Sequence, residues 1–500
     1  MTNMTKISAQ QAKERLKGFD EFATKTLEAW KAPGAAVAVI ADGEVVHSAG
    51  YGLRDVAKNL PVTPETLFAI GSCTKAFTAF DIGLLVDEGK LAWNTPVQHK
   101  LPTFRLKDPV ATATANAKDL LMHRTGLPRH DNAWYGSPHN REELMERLHT
   151  FQPSLGFREA FQYNNLMYMA AGYLAGHVGG SSWETVTKER IFDPLGMTHS
   201  NFSVHVSEKA DNAAQPYLWT HDAATLVPFR DLDHIAPAGA INSNLIDMVP
   251  WLLMHLNGGV HNGKQMIKPE TLKQMHAPHI AMPLPPESPW ITYPVVQNTT
   301  YALGWAGQTY RGRTMMRHTG GIDGFITFVS FLPEEGVGTI IFTNVGLDLP
   351  AAALHCHVYD RLLDLDQPDW NERMKAHYAK LNEMGEKAKA GFIDTRKPDT
   401  QPAHPLADYA GEYEHAGYGK ITVSVDGTRL VATFNGITYT GDHHHYEVFR
   451  LENEDREMLL PVMFTGGFGG EIAGVQIPLE PTVEPILFAR IQKEPDDHVS

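Results

Sequence analysis

"AIGSCTKAFTAF", residues 69–80, sets a serine three positions ahead of a lysine at the head of an apolar run. On a helix, positions i and i+3 share a face, so Lys75 can reach the Ser72 hydroxyl. A serine hydroxyl is a weak nucleophile and needs a neighbouring base. Among Phe68, Phe77, Phe80 and Ile82 an ammonium loses hydration and holds its proton less tightly, leaving some free amine to accept one. Exposed N–H groups at a helix start also favour a developing oxyanion. The bland reading is that Ser72 simply caps the helix, which serine does well. The pair alone leaves both readings open. The run from Ser72 to about Glu88 reads as a buried helix, apolar nearly all round, with Gly89 just past its end.

Working outward, residues 10–31 carry Leu16, Phe19, Phe22, Leu27 and Trp30 on one broad stripe and read as a helix. "GAAVAVIADGEVVHSAGYG" (34–52) reads as two strands joined at Asp42-Gly43, a strong hairpin signal. Mixed helices and loops fill 90–300. "TMMRHTGGIDGFITFVSFLPEEGVGTIIFTNVG" (314–346) then supplies two or three β-rich segments, and a helix near 350–363 closes the unit. Strands at both ends with helices between point to an α+β domain whose one sheet is assembled from distant parts of the chain. Residues 366–404 form a charged helical spacer and a proline-bearing link. Beyond it, "KITVSVDG", "RLVATFNG", "YEVFRLE", "MLLPVMFTG", "EIAGVQIP" and "ILFARIQ" follow one another as short β-rich runs, the signature of a small antiparallel barrel. The expected division is therefore a catalytic domain over 1–365, the spacer over 366–404 and the barrel over 405–500.

Five hundred residues are too many for one core, and 43% hydrophobic with 20% charged residues describes a globular chain. A formal charge of −15 argues against a nucleic-acid partner, which needs basic surface. "MTNMTKISAQQAKERL" lacks the apolar stretch of a secretory signal, and no run approaches the ~18 apolar residues of a membrane span, so a cytoplasmic protein without membrane attachment is expected. Two cysteines, Cys73 and Cys356, offer no disulfide framework, and Cys73 reads as a small core residue. "LHCHVYD" (354–360) and "DHHHYE" (442–447) lack a zinc enzyme's paired spacing with a separate acidic ligand. There is no Gly-x-Ser-x-Gly elbow and no phosphate-binding glycine loop. No metal and no cofactor are implied.

Residues 64–102, "PETLFAIGSCTKAFTAFDIGLLVDEGKLAWNTPVQHKLP", resemble the nucleophile segment of the serine β-lactamase and penicillin-binding-protein superfamily, in the branch of class C β-lactamases, D-aminopeptidases and related esterases. The likeness continues, in the family's order, through "AKDLLMHRTGLP" (117–128), "FQYNNLMYMAAGYLAG" (161–176), "IFDPLGMTHSNF" (191–202), "APAGAINSNLIDM" (236–248) and "RHTGGIDGFITFVSFLP" (317–333). It implies a β-lactamase/transpeptidase-like antiparallel sheet flanked by helices. "LADYAGEYEHAGYGKITVSVDGTRL" (406–430) similarly resembles the lipocalin-like barrel that some members carry.

The resemblance also implies roles. Ser72 is the nucleophile, and Lys75 with Tyr163 of the Tyr-x-Asn motif shares the proton transfers, in an order left open. Asn165 bonds a substrate amide and helps hold Lys75. Arg317-His318-Thr319-Gly320-Gly321 stands where many members have Lys-Thr-Gly. His318 replaces a lysine that helps bind a substrate carboxylate, and histidine is mostly neutral near pH 7. Gly320 and Gly321 admit a substrate backbone, and the N–H groups of Gly321 and Ser72 form the oxyanion hole. The expected activity is hydrolysis of an amide or peptide bond, D-amino-acid-containing bonds included, through a Ser72 acyl-enzyme. A carboxylesterase or acyltransferase using the same site is the alternative. From another class, a non-catalytic binding protein of the same fold remains open. The expected partner is a small molecule or short peptide, and homo-oligomers are compatible with the sequence.

Overall fold

The computed structural model describes residues 6–284, 288, 295–453, 455 and 458–492. Asp42 and Gly43 both take left-handed backbone (φ 51° and 79°), the conformation a two-residue hairpin turn requires. They join β1 (Gly34–Ala41) to β2 (Glu44–Asp55). Every residue of β1 is buried, which places it inside the sheet rather than at an edge. The other strands of that sheet are β3 (Leu60–Pro61), β4 (Ile280–Ala281), β5 (Val296–Tyr301), β6 (Ala306–Tyr310), β7 (Arg313–Ile322), β8 (Phe325–Leu332) and β9 (Val337–Thr343). Among the described residues it has nine antiparallel strands in the order β4-β5-β6-β7-β8-β9-β1-β2-β3. The N-terminal hairpin thus docks on β9, with Val37 opposite Ile341 and Val39 opposite Thr339.

Both faces of β1 are covered, and its alternation sorts the core into two layers. Ala35, Val37, Val39 and Ala41 pack with Ala12, Phe19, Leu27, Leu354 and Tyr359, which come from α1 (Ala9–Arg15), α2 (Phe19–Ala29) and the helix Asp348–Leu362. The periodic stripe over 10–31 is therefore carried by two helices, not one. Gly18, at φ 84°, breaks the run and becomes the N-cap of α2. The opposite layer holds α3 (Thr74–Asp87), α4 (Asn165–Gly179), α5 (Ala236–Gly239) and α6 (Leu245–Leu256). α6 rests on the sheet so closely that a Cβ on Gly338 would lie 2.9 Å from Leu252 Cδ2. The helices Asp348–Leu362 and Trp370–Asp394 follow as α7 and α8. Among the described residues no helix is long and apolar enough to cross a membrane.

Grouped by contacts, the chain forms two compact units that interleave along the sequence. One comprises residues to Phe104, Val110–Gly126 and Gly156–Glu383; the other comprises Arg105–Pro109, Leu127–Leu155 and the chain from Met384 onward. The second unit contains a closed antiparallel barrel of eight strands, each paired with its neighbour in sequence: β10 (Gly411–His415), β11 (Gly419–Asp426), β12 (Arg429–Phe434), β13 (Ile437–His445), β14 (Val448–Asn453), β15 (Met458–Gly466), β16 (Ile472–Ile477) and β17 (Ile486–Arg490). Tyr413, Ile421, Leu430, Phe449, Val462, Phe464 and Phe488 are buried there. Six of these strands match the runs picked out in the sequence. β10 and β13 do not, because "GEYEH" sets its one buried position, Tyr413, between two glutamates and "ITYTGDHHH" ends in an aspartate and three histidines. The excursion 127–155 belongs to this unit through specific bonds. His130 Nδ1 and the Tyr418 hydroxyl are 2.6 Å apart, and Asn435 Nδ2 donates to Asn132 O at 2.8 Å.

Within the first unit, two stretches of backbone meet with no side chain between them. Gly320 on β7 lies against the turn before α3, and a Cβ there would sit 1.9 Å from Ile70 O, where only backbone could yield. Gly321, next along the strand, is exposed, and its nearest such contact is Ile326 Cδ1 at 3.2 Å. Gly320→Ala is therefore expected to lower stability by about 1–3 kcal/mol, as forced overpacking does, and Gly321→Ala by less than about 1 kcal/mol. Chemical unfolding of both variants checks the contrast. A second expectation concerns acid. His318 and His355, both buried, are pushed down to about 3 by burial, and His255 well below its usual value for the same reason. Between pH ~6.5 and these folded values the unfolded chain binds more protons, so stability falls as pH drops from ~6.5, by up to about 1.4 kcal/mol per pH unit for each such histidine. Urea midpoints between pH 7 and 5 measure it, and a flat profile would contradict it.

Candidate active site

The segment leading to Ser72 is held by the chain around 241–243. Phe68 and Ala69 pair with Ser243 and Asn242, and Ile70 N donates to Ile241 O at 2.9 Å. Gly71, at φ 50°, then turns the chain into a 3₁₀ turn over Gly71–Cys73, from which α3 continues at Thr74. The helix expected from Ser72 thus begins two residues later. Neither the turn nor α3 carries a side-chain cap, and Ser72 is not the capping residue of either. Its Oγ instead accepts from Lys75 Nζ at 2.9 Å, one helical turn on.

Lys75 is fully buried, and an ammonium there needs acceptors to replace its water. Besides Ser72 Oγ, it donates to Asn165 Oδ1 and to Ala238 O, each at 2.7 Å. These acceptors come from three separate stretches of chain. Asn165 is brought in by its neighbour: Asn164 caps α4 through a bond from Met167 N at 2.9 Å, which leaves Asn165 on the first turn, facing Lys75. Ala238 lies on α5, tied to α3 by Thr78 Oγ1 donating to Pro237 O at 2.7 Å. Tyr163, half-buried just ahead of the cap, places its ring centroid 4.9 Å from Lys75 Nζ, and Tyr168 places its own at 5.4 Å.

β7 forms the opposite wall. His318, Thr319, Gly320 and Gly321 all lie within the strand, and the turn comes later, at Gly324, so "HTGG" is not a strand-end turn. The absence of a side chain at Gly320 and Gly71 lets the two backbones meet. A Cβ on Gly71 would lie 2.8 Å from Gly321 N, and one on Gly320 would lie 3.1 Å from Ser72 N. The Ser72 and Gly321 amides therefore border one contact. His318 is buried, and its pKa is pushed down to about 3, chiefly by desolvation and then by the Lys75 charge. Thr319 is half-buried beside it. Cys73 is buried with its Sγ donating to His318 O at 3.4 Å, and burial pushes its thiol up, away from a reactive thiolate.

All eight residues singled out in the sequence are thus gathered about the α3 start, the α4 start and β7. Three side chains not assigned a role there pack among them. His123, buried at φ 56°, sets its ring centroid 4.4 Å from that of Tyr163 and 5.0 Å from those of Tyr168 and Tyr301, and its Nδ1 accepts from Asn164 N at 2.9 Å. The stretches holding His123 and Tyr168 carried the resemblance, but no spacing rule marked these positions. The histidine-rich runs pack instead as ordinary side chains: His357 stacks on Phe22 and His355 Nε2 meets Ser330 Oγ at 3.1 Å, while His444 stacks on Phe392. Among the described residues, His205, Asp231 and Asp233 place ligand atoms within 4.8 Å of one another on the exposed surface, a grouping with no counterpart in the sequence patterns.

The family described as Beta-lactamase matches residues 19–355, and a Domain of unknown function (DUF3471) matches residues 395–490. The unguisins hydrolase ungD' of Aspergillus campestris is 31% identical over 96% of this chain and 92% of its own length. The unguisins hydrolase ungD of Aspergillus violaceofuscus is 31% identical over 84% of this chain and 79% of its own. Among solved structures, the octameric penicillin-binding protein homologue from Pyrococcus abyssi superposes with a TM-score of 0.61 at 22% identity, covering 95% of this chain and 99% of that one. FmtA from Staphylococcus aureus gives 0.55 at 21% identity, covering 71% and 88%. With a family match over residues 19–355 and a hydrolase relative 31% identical over 96% of the chain, the chain belongs to the beta-lactamase family and is a hydrolase of that family.

Proposed function

We propose that the protein cleaves an amide or peptide bond through an acyl-enzyme on Ser72. The observation that carries this reading is the 2.9 Å approach of the Lys75 amine to the Ser72 hydroxyl at a buried helix start. Ser72 Oγ attacks the carbonyl carbon as its proton passes to Lys75 in its free-amine form, with Tyr163 sharing the transfers. The N–H groups of Ser72 and Gly321 receive the oxyanion, where removing one such donor typically lowers the rate ~100–1000-fold. Collapse expels the amine, which takes the proton, and leaves an ester on Ser72. Water, deprotonated by the same base, then releases the acid and restores the hydroxyl. Asn165 bonds the substrate amide while keeping Lys75 aimed. Two relatives named as hydrolases support water, rather than another nucleophile, as the final acceptor.

Substrate preference follows from charge. Buried and uncharged, His318 supplies no cation for a carboxylate on the amine side of the scissile bond, where a cephalosporin or a C-terminal residue carries it. A lost charge-assisted hydrogen bond of about 1.5–3 kcal/mol corresponds to roughly 10–150-fold. A chromogenic cephalosporin is therefore expected to have kcat/KM at least about tenfold below the best neutral aminoacyl amide in a D- and L-residue panel; equal turnover would contradict this. Intact mass measurement with a fluorophosphonate probe tests the nucleophile. One adduct is expected on the native protein and none on Ser72→Ala, with turnover lost in that variant. An unlabelled native protein, or a Ser72→Ala variant that still turns over, would overturn the assignment.

A further inference from the structure

His318 is the group on β7 nearest in type to a substrate-binding side chain, and its two ring nitrogens are both engaged by the protein. Nδ1 lies 2.7 Å from Thr319 O, and Nε2 lies 2.9 Å from the Tyr301 hydroxyl. A carbonyl oxygen only accepts, so Nδ1 carries a proton. In a neutral imidazole the other nitrogen is then a lone pair, and the phenol must be the donor. Only an imidazolium would reverse that bond, and the surroundings oppose one. The charged or titratable groups facing the ring are Lys75 on α3, Arg317 on β7 itself, Tyr301 on β5, and Cys73, whose thiol meets the His318 carbonyl. Beyond Tyr301 stand Tyr163, Tyr168 and the His123 ring. None of them brings a carboxylate to the ring, and burial and the Lys75 ammonium both disfavour a second positive charge.

Tyr301 is built into its place. It is 2% exposed at the end of β5, with its carbonyl accepting from His279 N at 3.2 Å. The turn that comes next is closed by Ala302 N donating to Trp305 O at 2.7 Å and presses Gly304 onto α3, where a Cβ would lie 2.8 Å from Ala76 Cα and 2.9 Å from Lys75 O. The element that sets the phenol therefore also abuts the helix that carries Lys75. Tyr168, hydrogen-bonded to Tyr301, gives its own proton to Leu121 O at 2.8 Å.

We propose that Tyr301 is a positioning residue for selectivity: by donating to His318 Nε2 it holds the imidazole as the uncharged Nδ1–H form, so that the β7 side of the site accepts substrates whose amine side bears no carboxylate. The tautomer assignment stands on this geometry alone, and its consequence for substrates rests on the proposed Ser72 acyl-enzyme. Both ring nitrogens being engaged, His318 presents neither a cation nor a spare N–H to a ligand. The substrate class is then a neutral amide, an ester or an internal peptide bond, in place of one with a carboxylate on the amine side of the scissile bond.

The experiment has two independent readouts on the full-length protein. The first is the 15N chemical shifts of the histidine-labelled native protein, with His318 assigned by the signals absent from His318→Asn. An Nδ1–H, neutral pattern from pH 5 to 8 is expected, and an Nε2–H or doubly protonated ring would overturn the proposal. The second compares kcat/KM for two matched amides, one with a carboxylate on its leaving amine and one with a carboxamide in its place, in the native protein and in Tyr301→Phe. The native ratio is expected to be low and independent of pH. Without its donor, Nε2 accepts a proton more readily, so in Tyr301→Phe the ratio should rise about tenfold toward pH 5, with a new inflection. A ratio within twofold of native at every pH, in a variant with unchanged Tm and full fluorophosphonate labelling of Ser72, would overturn the selectivity role. Should Tyr301→Phe not fold, the native 15N pattern still decides the tautomer, and His318→Lys is expected to raise the ratio more than tenfold without pH dependence; no rise would overturn the role. Loss of labelling in the native protein would instead strike at the acyl-enzyme reading and be recognisable as that failure.

Discussion

A buried ammonium constrains this structure more than any other single group. Removing a charge from water costs several kcal/mol unless its hydrogen-bonding capacity is met inside the protein. Lys75 meets it with Ser72 Oγ, Asn165 Oδ1 and Ala238 O. Those atoms come from the turn leading into α3 and from α4 and α5, elements separated from Lys75 by 90 or more residues of chain in the last two cases. The lysine therefore does more than serve the proposed activation of Ser72. It makes the relative placement of three helices a condition for burying the charge, and the geometry that chemistry needs is the geometry that stability favours.

The second constraint is steric and comes from missing atoms. β7 meets the turn at Ile70–Ser72 through Gly320, and the turn meets β7 through Gly71. Two backbones without intervening side chains bring two sets of amide N–H groups to the same place, which side chains could not do with equal rigidity. The lysine fixes where the hydroxyl points, and the glycines fix what stands across from it. Neither works without the other, because a well-aimed hydroxyl facing a strand held one side chain farther away would find no amide near the developing charge.

Much of this was legible in the sequence because it is local or repeated in register. Asp42-Gly43 specifies its turn within four residues, the barrel strands announce themselves by short alternating runs, and Ser72 and Lys75 sit one helical turn apart. Where the reading failed, the cause was a competing local rule. Gly18 broke a stripe that periodicity alone extends from residue 10 to 31. The strands Gly411–His415 and Ile437–His445 are masked by the charged and histidine side chains they carry. The interleaving of the two units left no local trace at all. "PRHDNAWYG" lies between two stretches of the first unit, and partners about 300 residues later, Tyr418, Asn435, Leu479 and Glu480, reveal where it packs. His123 and Tyr301 escaped for the same reason: each acts through a ring or a single proton across the fold, and no spacing encodes that.

The site also shows how one environment treats two basic groups in opposite ways. Lys75 and His318 are both buried near Ser72, and burial penalises the charge of each. Lys75 is surrounded by oxygen acceptors, which suit an ammonium and also an amine that takes the serine proton. His318 has one acceptor at Nδ1 and one phenol at Nε2, a pair that suits only the neutral ring. Because the first sits beneath the hydroxyl and the second on the opposite strand, positive charge is confined to the side where the proton moves. A cation on both sides would stabilise a bound anion as well as the transition state, and interactions equal in the two states do not accelerate the step between them.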